Sequence, residues 1–89
     1  MTTEEAKSVL HCSYKPLVLL ALSYVNLYDR ELNTLILRHM RGMTQEETAE
    51  YLNRAKNTVQ LWETSGLKKC ANAWKSVPII QEILDLESK

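Results

Sequence analysis

Apolar residues recur at intervals of three and four along most of this chain, the spacing that is typical of amphipathic helices. The pattern is clearest at 44–65, where two apolar stripes are separated by a polar stretch that begins at Asn53. Thr44 and Glu47 have capping-box spacing, and Asn53 readily adopts the left-handed conformation of a turn. The inward positions of the two helices are Ala49, Leu52, Val59 and Trp62. The segment therefore predicts two helices joined by a tight turn, the spacing of a helix-turn-helix.

Two further helices are predicted near the N-terminus. Residues 2–12 begin with the capping-box spacing of Thr2 and Glu5. A second helix is expected at 16–27, where a proline can occupy the first turn and Ser13 is a candidate cap. Because this second segment is apolar nearly all round, we expect it at the centre of the core or under a partner.

Residues that cap or break helices set the boundaries in the rest of the chain. Asp29 is a good N-cap for a third helix, which Gly42 would end. Gly66 predicts a break, because glycine is unfavourable in a helix interior. Another short helix is expected within 67–75, and Pro78 starts the last one. The apolar positions of these helices are Leu32, Leu35, Ile36 and Met40, then Leu67, Ala71 and Trp74, then Ile79, Ile80, Ile83, Leu84 and Leu86.

The composition agrees with helices throughout. Hydrophobic residues make up 45% of the chain, while glycine and proline occur only twice each, which leaves little turn chemistry for hairpins. A length of 89 residues suits one modest core. We expect an all-α fold, a compact bundle of five to six helices in a single helix-turn-helix domain, 1–89. Within it, 1–27 would hold the N-terminal helices, 28–75 the core with the motif at 44–65, and 76–89 the C-terminal helix.

Charge is balanced over the whole chain but not along it. The formal net charge is zero, which counts against indiscriminate binding to nucleic acid, because such binding depends on neutralising phosphates. Residues 53–75 nevertheless carry five basic residues against the single acidic Glu63. The positive segment therefore begins where the second helix of the predicted motif begins.

Other chemistry has little support in the sequence. Cys12 and Cys70 occur without a secretory leader, so we expect reduced thiols and a cytoplasmic protein. The longest apolar run, 17–22, is too short to span a membrane. His11 and His39 show none of the recurring zinc spacings with the cysteines, and no catalytic constellation accompanies them. We expect no metal, no cofactor, no membrane partner and no enzymatic activity.

Residues 28–69 resemble region 4 of the sigma-70 family and related small transcription regulators of phages and bacteria. In that family an acidic-Arg-Glu start, a glycine-containing turn, a T-x-E-E-x-A-x-x-L helix and the tripeptide N-T-V follow one another. The corresponding elements here are Asp29-Arg30-Glu31, Gly42, residues 44–52 and Asn57-Thr58-Val59. The resemblance implies a sequence-specific DNA-binding transcription regulator, with its recognition helix at about 56–65 in the major groove of double-stranded DNA.

The resemblance also implies which residues would face DNA. The outward side of the recognition helix carries the donors and acceptors that base edges and phosphates require. Thr44 and Gln45 would meet phosphate through the N-terminus of the preceding helix, and Lys68 and Lys69 are candidate phosphate contacts at the far end. The remaining candidate contacts are Arg54, Lys56, Asn57, Thr58, Gln60, Leu61 and Thr64.

The alternative function is a protein-interaction module built on the same fold, for example an antirepressor or an inhibitor that binds RNA polymerase. Glu63 and the small number of charges on the recognition helix predict weak binding by one copy. A second contact, from a twin subunit, from RNA polymerase or from another regulator, is therefore part of the hypothesis. The last helix would pack against residues 17–27, or else form a homodimer through Ile79, Ile80, Ile83 and Leu84.

Overall fold

Helices are the only regular elements in residues 1–87, the part of the chain that this computed structural model describes. They are α1 (Thr3–Leu10), α2 (Lys15–Ser23), α3 (Asp29–Leu35), which continues as a π-helical turn (Ile36–Met40), α4 (Gln45–Leu52), α5 (Lys56–Trp74) and α6 (Pro78–Glu87). With six α-helices and no strand among the described residues, the predicted all-α fold is confirmed.

The chain divides into two compact units. The first consists of Met1–Asn26 and the chain from Leu67 onward, and the second is Leu27–Gly66. Helix α5 contributes to both, because its residues up to Gly66 belong to the second unit and the later ones to the first. Most of the residues predicted to contact DNA lie in the second unit.

In the first unit, α1 and α6 pack against each other. α1 begins with the predicted capping box, in which the Glu5 N–H donates to Thr2 Oγ1 at 3.1 Å and the Thr2 N–H donates to Glu5 Oε1 at 2.9 Å. Trp74 is almost fully buried, and its indole N–H donates to the Ala21 carbonyl oxygen at 2.7 Å. A buried tryptophan normally needs such a partner, so this bond allows Trp74 to serve as the main aromatic side chain of the unit.

α2 is shorter than predicted. It ends at Ser23 rather than near Leu27, because the Val25 N–H donates to a carbonyl only three residues back, at 3.1 Å, and so tightens the last turn. Its N-cap is Tyr14, whose side chain makes no capping hydrogen bond, and not Ser13. The helix is also buried on one face only, and its exposed apolar residues are Leu19 and Leu20.

α6 lies against α1 and not, as predicted, mainly against residues 17–27. Ile80 and Ile83 are 0% and 2% exposed, so both are already used in the core of the first unit. Of the four residues proposed for a homodimer, only Ile79 and Leu84 retain accessible surface within one chain.

In the second unit, the N-cap of α3 is Tyr28 and not Asp29. The Tyr28 N–H donates to Glu31 Oε1 at 2.9 Å, the contact by which a glutamate in the third helical position fixes a cap. The helix then widens into the π-helical turn, where the Arg41 N–H donates to the carbonyl oxygen five residues back at 2.9 Å. Gly42 follows with φ 71°, so the helix ends at the predicted glycine.

α4 and α5 are the two helices predicted within 44–65, and residues 53–55 join them. Asn53 adopts the predicted left-handed conformation, with φ 55° and ψ 49°. The Arg54 N–H donates to the Ala49 carbonyl oxygen at 2.9 Å, a Schellman-type bond that fixes the direction in which the chain leaves α4. Of the predicted inward residues, Ala49 and Val59 are buried, and Leu52 and Trp62 are half-buried.

α5 runs without interruption through Gly66, so the predicted break and the separate helix within 67–75 are wrong. Gly66 is buried, and a Cβ atom at this position would lie 3.0 Å from Leu35 Cδ1 and 3.5 Å from Glu31 Cβ. The missing side chain thus lets α3 and α5 approach closely. That packing offsets the cost of glycine in a helix interior, which is about 1 kcal/mol.

Candidate nucleic-acid interface

The N-terminus of α4 is capped by its own side chains. Thr44 Oγ1 accepts from the Glu47 N–H at 3.0 Å, and the Thr44 N–H donates to Glu47 Oε1 at 2.9 Å. The predicted capping box is therefore confirmed. Glu46 and Glu47 are both exposed in this first turn, so the positive end of the helix dipole is already matched by carboxylates. These charges oppose the phosphate contact predicted for Thr44.

The exposed side of α5 begins directly after the turn. Asn57, Leu61 and Thr64 are exposed and recur at intervals of four and three, which places them on one face of the helix. Gln60 is exposed on the adjoining face, whereas Thr58 is half-buried. The first turns of α5 therefore present amide and hydroxyl groups to solvent, together with the 70% exposed side chain of Leu61.

Two basic residues flank this surface. Arg54 is exposed in the turn. Lys56 Nζ lies 2.7 Å from Glu46 Oε1, in an exposed ion pair that joins the start of α5 to the first turn of α4. The hydrogen bond from Lys56 is the main cause that lowers the pKa of Glu46 below its ordinary value. Since the pair is open to solvent and salt, Lys56 can exchange this partner for a phosphate.

Lys68 and Lys69 are the two predicted contacts that do not belong to the second unit. Lys68 is exposed and Lys69 is half-buried. Both lie in the part of α5 that packs in the first unit, whereas the other nine predicted residues lie in Leu27–Gly66.

The inward face of α5 is anchored by a buried carboxylate, Glu63, which is 6% exposed. Its Oε2 atom lies 2.7 Å from His39 Nε2 and 3.2 Å from Arg38 Nε. Its Oε1 atom accepts from Gln45 Nε2 at 3.1 Å. Glu63 therefore ties α5 to the π-helical turn and to the start of α4.

Burial by itself raises the pKa of Glu63, but the surrounding donors outweigh it. Hydrogen bonds from His39 and Gln45, with the charge of Arg38, lower the pKa of Glu63 to about 2. The side chain is consequently ionised at neutral pH and acts only as an acceptor.

Gln45 has a different position from the one predicted. It is half-buried, and its side chain lies between α4 and α5, where Oε1 accepts from Gln60 Nε2 at 3.0 Å while Nε2 donates to Glu63. The structure thus brings Gln45 and Gln60 together. Gln45 supports the exposed side of α5 and does not project from the N-terminus of α4 towards phosphate.

Sequence reasoning missed the residues that hold this surface in place. Glu63 follows the buried Val59 by four residues, a helical interval that indicates the inward face. Its charge was instead weighed only against the basic residues of the recognition helix, and no structural role was predicted for it. Arg38 and His39 gave no comparable indication, because their convergence on Glu63 depends on the packing of α5 against the π-helical turn.

The described residues, 1–87, offer no metal site and no membrane-spanning helix. No group of three or more His, Cys, Asp or Glu side chains in this range is placed to hold a metal ion. Cys12 and Cys70 are both buried thiols. None of the helices within the same range combines the length and apolar content required to cross a membrane.

Comparison with protein-family models, curated proteins and solved structures gives no significant match.

Proposed function

We propose that this chain is a sequence-specific DNA-binding transcription regulator in which α4 and α5 act as a helix-turn-helix. The observation that carries the proposal is the arrangement of α5. Its buried face is fixed through Val59 and Glu63, while Asn57 and Thr64 on the opposite side and Gln60 on the adjoining face are exposed to solvent. A helix held in this way can enter the major groove with its polar side chains directed at base edges.

The roles of the charged residues follow from their positions. Arg54, in the turn, and Lys56, at the start of α5, flank the exposed amides and would contact the DNA backbone on either side of the groove. Glu46 and Glu47 beside them limit the attraction to phosphate, in agreement with the zero net charge of the chain. The proposed mode of binding therefore depends on base contacts and on a second contact from a partner, and not on charge alone.

A protein-interaction module is the second candidate, and a specific observation favours it. Tyr51 and Leu61 are 66% and 70% exposed in the second unit, and burial of either side chain under a protein partner would be favourable. The exposed Glu46, Glu47 and Glu50 on α4 would suit a basic protein surface better than DNA. An antirepressor or a protein that binds RNA polymerase would use such a surface.

The two candidates differ in their dependence on base sequence and salt. The full chain would be incubated with a random pool of DNA duplexes, and bound duplexes would be sequenced after several rounds. Affinity for the selected duplex would then be measured between about 50 and 200 mM salt. DNA binding predicts a defined preferred sequence and an affinity that falls with a logarithmic slope of about −0.9 for each phosphate contact. If the bound duplexes remain random in sequence after selection and their affinity does not change with salt, the proposal is contradicted and the protein-interaction module is supported.

The matching mutational test replaces Lys56, Asn57 and Gln60 together with Ala. The chain offers a control of the same chemistry outside the proposed surface, in which Lys75, Asn72 and Gln81 are replaced; all three are exposed and lie in the first unit. We expect the first triple variant to lose the preferred sequence and the second to retain it, with circular dichroism showing that both are helical. Unchanged affinity of the first variant for the selected duplex would refute the proposal.

A further inference from the structure

We infer that Gln60 reads the major-groove edge of an adenine, and that Gln45 is a positioning residue that orients the Gln60 amide for this contact. The inference rests on the proposed DNA-binding function and names the chemistry that the surface would recognise. It is carried by a chain of hydrogen bonds. Gln60 Nε2 donates to Gln45 Oε1 at 3.0 Å, and Gln45 Nε2 donates to Glu63 Oε1 at 3.1 Å.

The buried Glu63 carboxylate fixes the donor-to-acceptor direction of this series of hydrogen bonds. An ionised carboxylate can only accept hydrogen bonds, so Gln45 must turn its NH2 group towards Glu63. The carbonyl oxygen of Gln45 then faces Gln60, which must offer its own NH2 group in return. A side-chain amide in isolation could adopt either orientation, but here the network selects one. The low pKa of Glu63 keeps this acceptor in place at neutral pH.

The hydrogen-bonding groups that remain on Gln60 match one base. After donating one N–H to Gln45, Gln60 keeps its second N–H and its carbonyl oxygen for an external partner. Adenine presents an acceptor, N7, beside a donor, the N6 amino group, in the major groove. Guanine presents two acceptors, N7 and O6, so the Gln60 oxygen would face an acceptor there. The free N–H and carbonyl oxygen of Gln60 are therefore complementary to adenine.

The hydrogen-bond network also reduces the side-chain entropy that is lost when Gln60 binds a base. Gln60 is exposed, and a free glutamine at such a position loses several rotamers when it meets a base. In this structure Gln45 already restricts the side chain, and Gln45 is itself held by a residue that is 6% exposed. Gln45 can thus affect base preference without touching DNA.

The test uses the duplex selection described above with four single variants of the full chain. Gln60→Ala removes the reading side chain, and Gln45→Met removes the orienting amide at nearly constant volume. Gln45→Glu restores an acceptor for Gln60 Nε2 while placing a second carboxylate near Glu63. Gln81→Met is the control, since Gln81 is an exposed glutamine in the first unit. The readouts are base preference at each position of the selected site and the thermal midpoint of unfolding.

We expect the wild-type site to contain an adenine whose preference falls about 5- to 150-fold in Gln60→Ala, the range that corresponds to one bidentate base contact. Gln45→Met should lower the preference at the same position about 2- to 12-fold, which is the cost of ordering one free side chain. Gln45→Glu should keep the preference while lowering the thermal midpoint, because it preserves the acceptor but crowds two carboxylates. Gln81→Met should leave both readouts unchanged.

A purely structural role for Gln45 would change stability and base preference together, so a fall in the thermal midpoint without a loss of base preference in Gln45→Glu would exclude it. If the wild-type chain selects a site but Gln60→Ala retains every base preference, the inference is wrong while the proposed function stands. If Gln60→Ala loses the adenine preference and Gln45→Met keeps it in full, the positioning role is wrong. If the wild-type chain selects no sequence at all, the proposed function itself fails.

Discussion

Replacement of Glu63 by Gln should destabilise the second unit by about 2 kcal/mol at pH 7. The carboxylate receives hydrogen bonds from His39, Arg38 and Gln45. A glutamine has nearly the same volume, but its NH2 group would face at least one of these donors. The fall in the pKa of Glu63 from 4.5 to about 2 sets an upper limit of about 3 kcal/mol on the pH-dependent part of this loss, since each pKa unit is worth about 1.4 kcal/mol. Solvent screening reduces this limit, because the Arg38 side chain is 23% exposed.

The loss of stability caused by Glu63→Gln should depend on pH, and it should become smaller on acidification. The folded-state pKa of Glu63 is depressed, so its contribution is complete above about pH 4.5, the ordinary value, and is lost as the pH falls towards 2. The difference in unfolding free energy between wild type and Glu63→Gln should therefore be constant from pH 7 to 5 and fall by about half at pH 3. Urea unfolding, followed by circular dichroism and tryptophan fluorescence at pH 7, 5, 4 and 3, measures this difference.

Glu50→Gln is the matched control, because Glu50 is an exposed carboxylate on α4. It should change the unfolding free energy by no more than about 0.5 kcal/mol at any of these pH values. The reasoning is refuted if Glu63→Gln is as stable as Glu50→Gln at pH 7. It is also refuted if the deficit of Glu63→Gln grows on acidification, since the sign would then be opposite to that of a carboxylate with a depressed pKa.

Two further predictions concern the backbone of the second unit. Gly66→Ala gains about 1 kcal/mol of helix propensity, but its Cβ would lie 3.0 Å from Leu35 Cδ1, and overpacking of a fully buried side chain costs about 1–3 kcal/mol. We expect a net loss of up to about 2 kcal/mol in urea unfolding, and a gain in stability would show that Leu35 can move aside. Asn53→Val should lose at least about 1 kcal/mol and Asn53→Gly should stay close to wild type, because φ at this position is 55°. Equal thermal midpoints for the two Asn53 variants would contradict the assigned strain.

Local interactions explain what could be predicted of the fold. The capping boxes at Thr2 and Thr44 each involve a partner three residues along the chain, so spacing alone identifies them. The left-handed turn at Asn53 likewise depends on the properties of one residue. The continuity of α5 through Gly66 depends instead on a contact with a helix distant in sequence, the approach of Leu35. Helix propensity at Gly66 indicated a break because it carries no information about that neighbour.

The same distinction between local and long-range interactions applies to the candidate site. Helical periodicity correctly predicted that Asn57, Gln60 and Leu61 would be exposed. It could not show that Gln45 hydrogen bonds to Gln60, because 15 residues separate them and the contact depends on how α4 packs on α5. The burial of Glu63 was missed because a charged residue is usually exposed, and only three donors from other segments make its burial favourable.

The division of α5 into two faces has a consequence for how this chain can vary over evolutionary time. Val59, Glu63 and Gly66 determine folding, whereas Asn57, Leu61 and Thr64 face solvent on the same few turns. Inherited substitutions on the exposed face can therefore change the groups that α5 presents to solvent without a loss of stability, and under the proposed function they would change the DNA sequence that is bound. We expect natural relatives to keep the glutamate at position 63 and the glycine at position 66, and to diverge freely at positions 57, 61 and 64. In such a lineage new specificities would arise by single substitutions on a scaffold that stays the same.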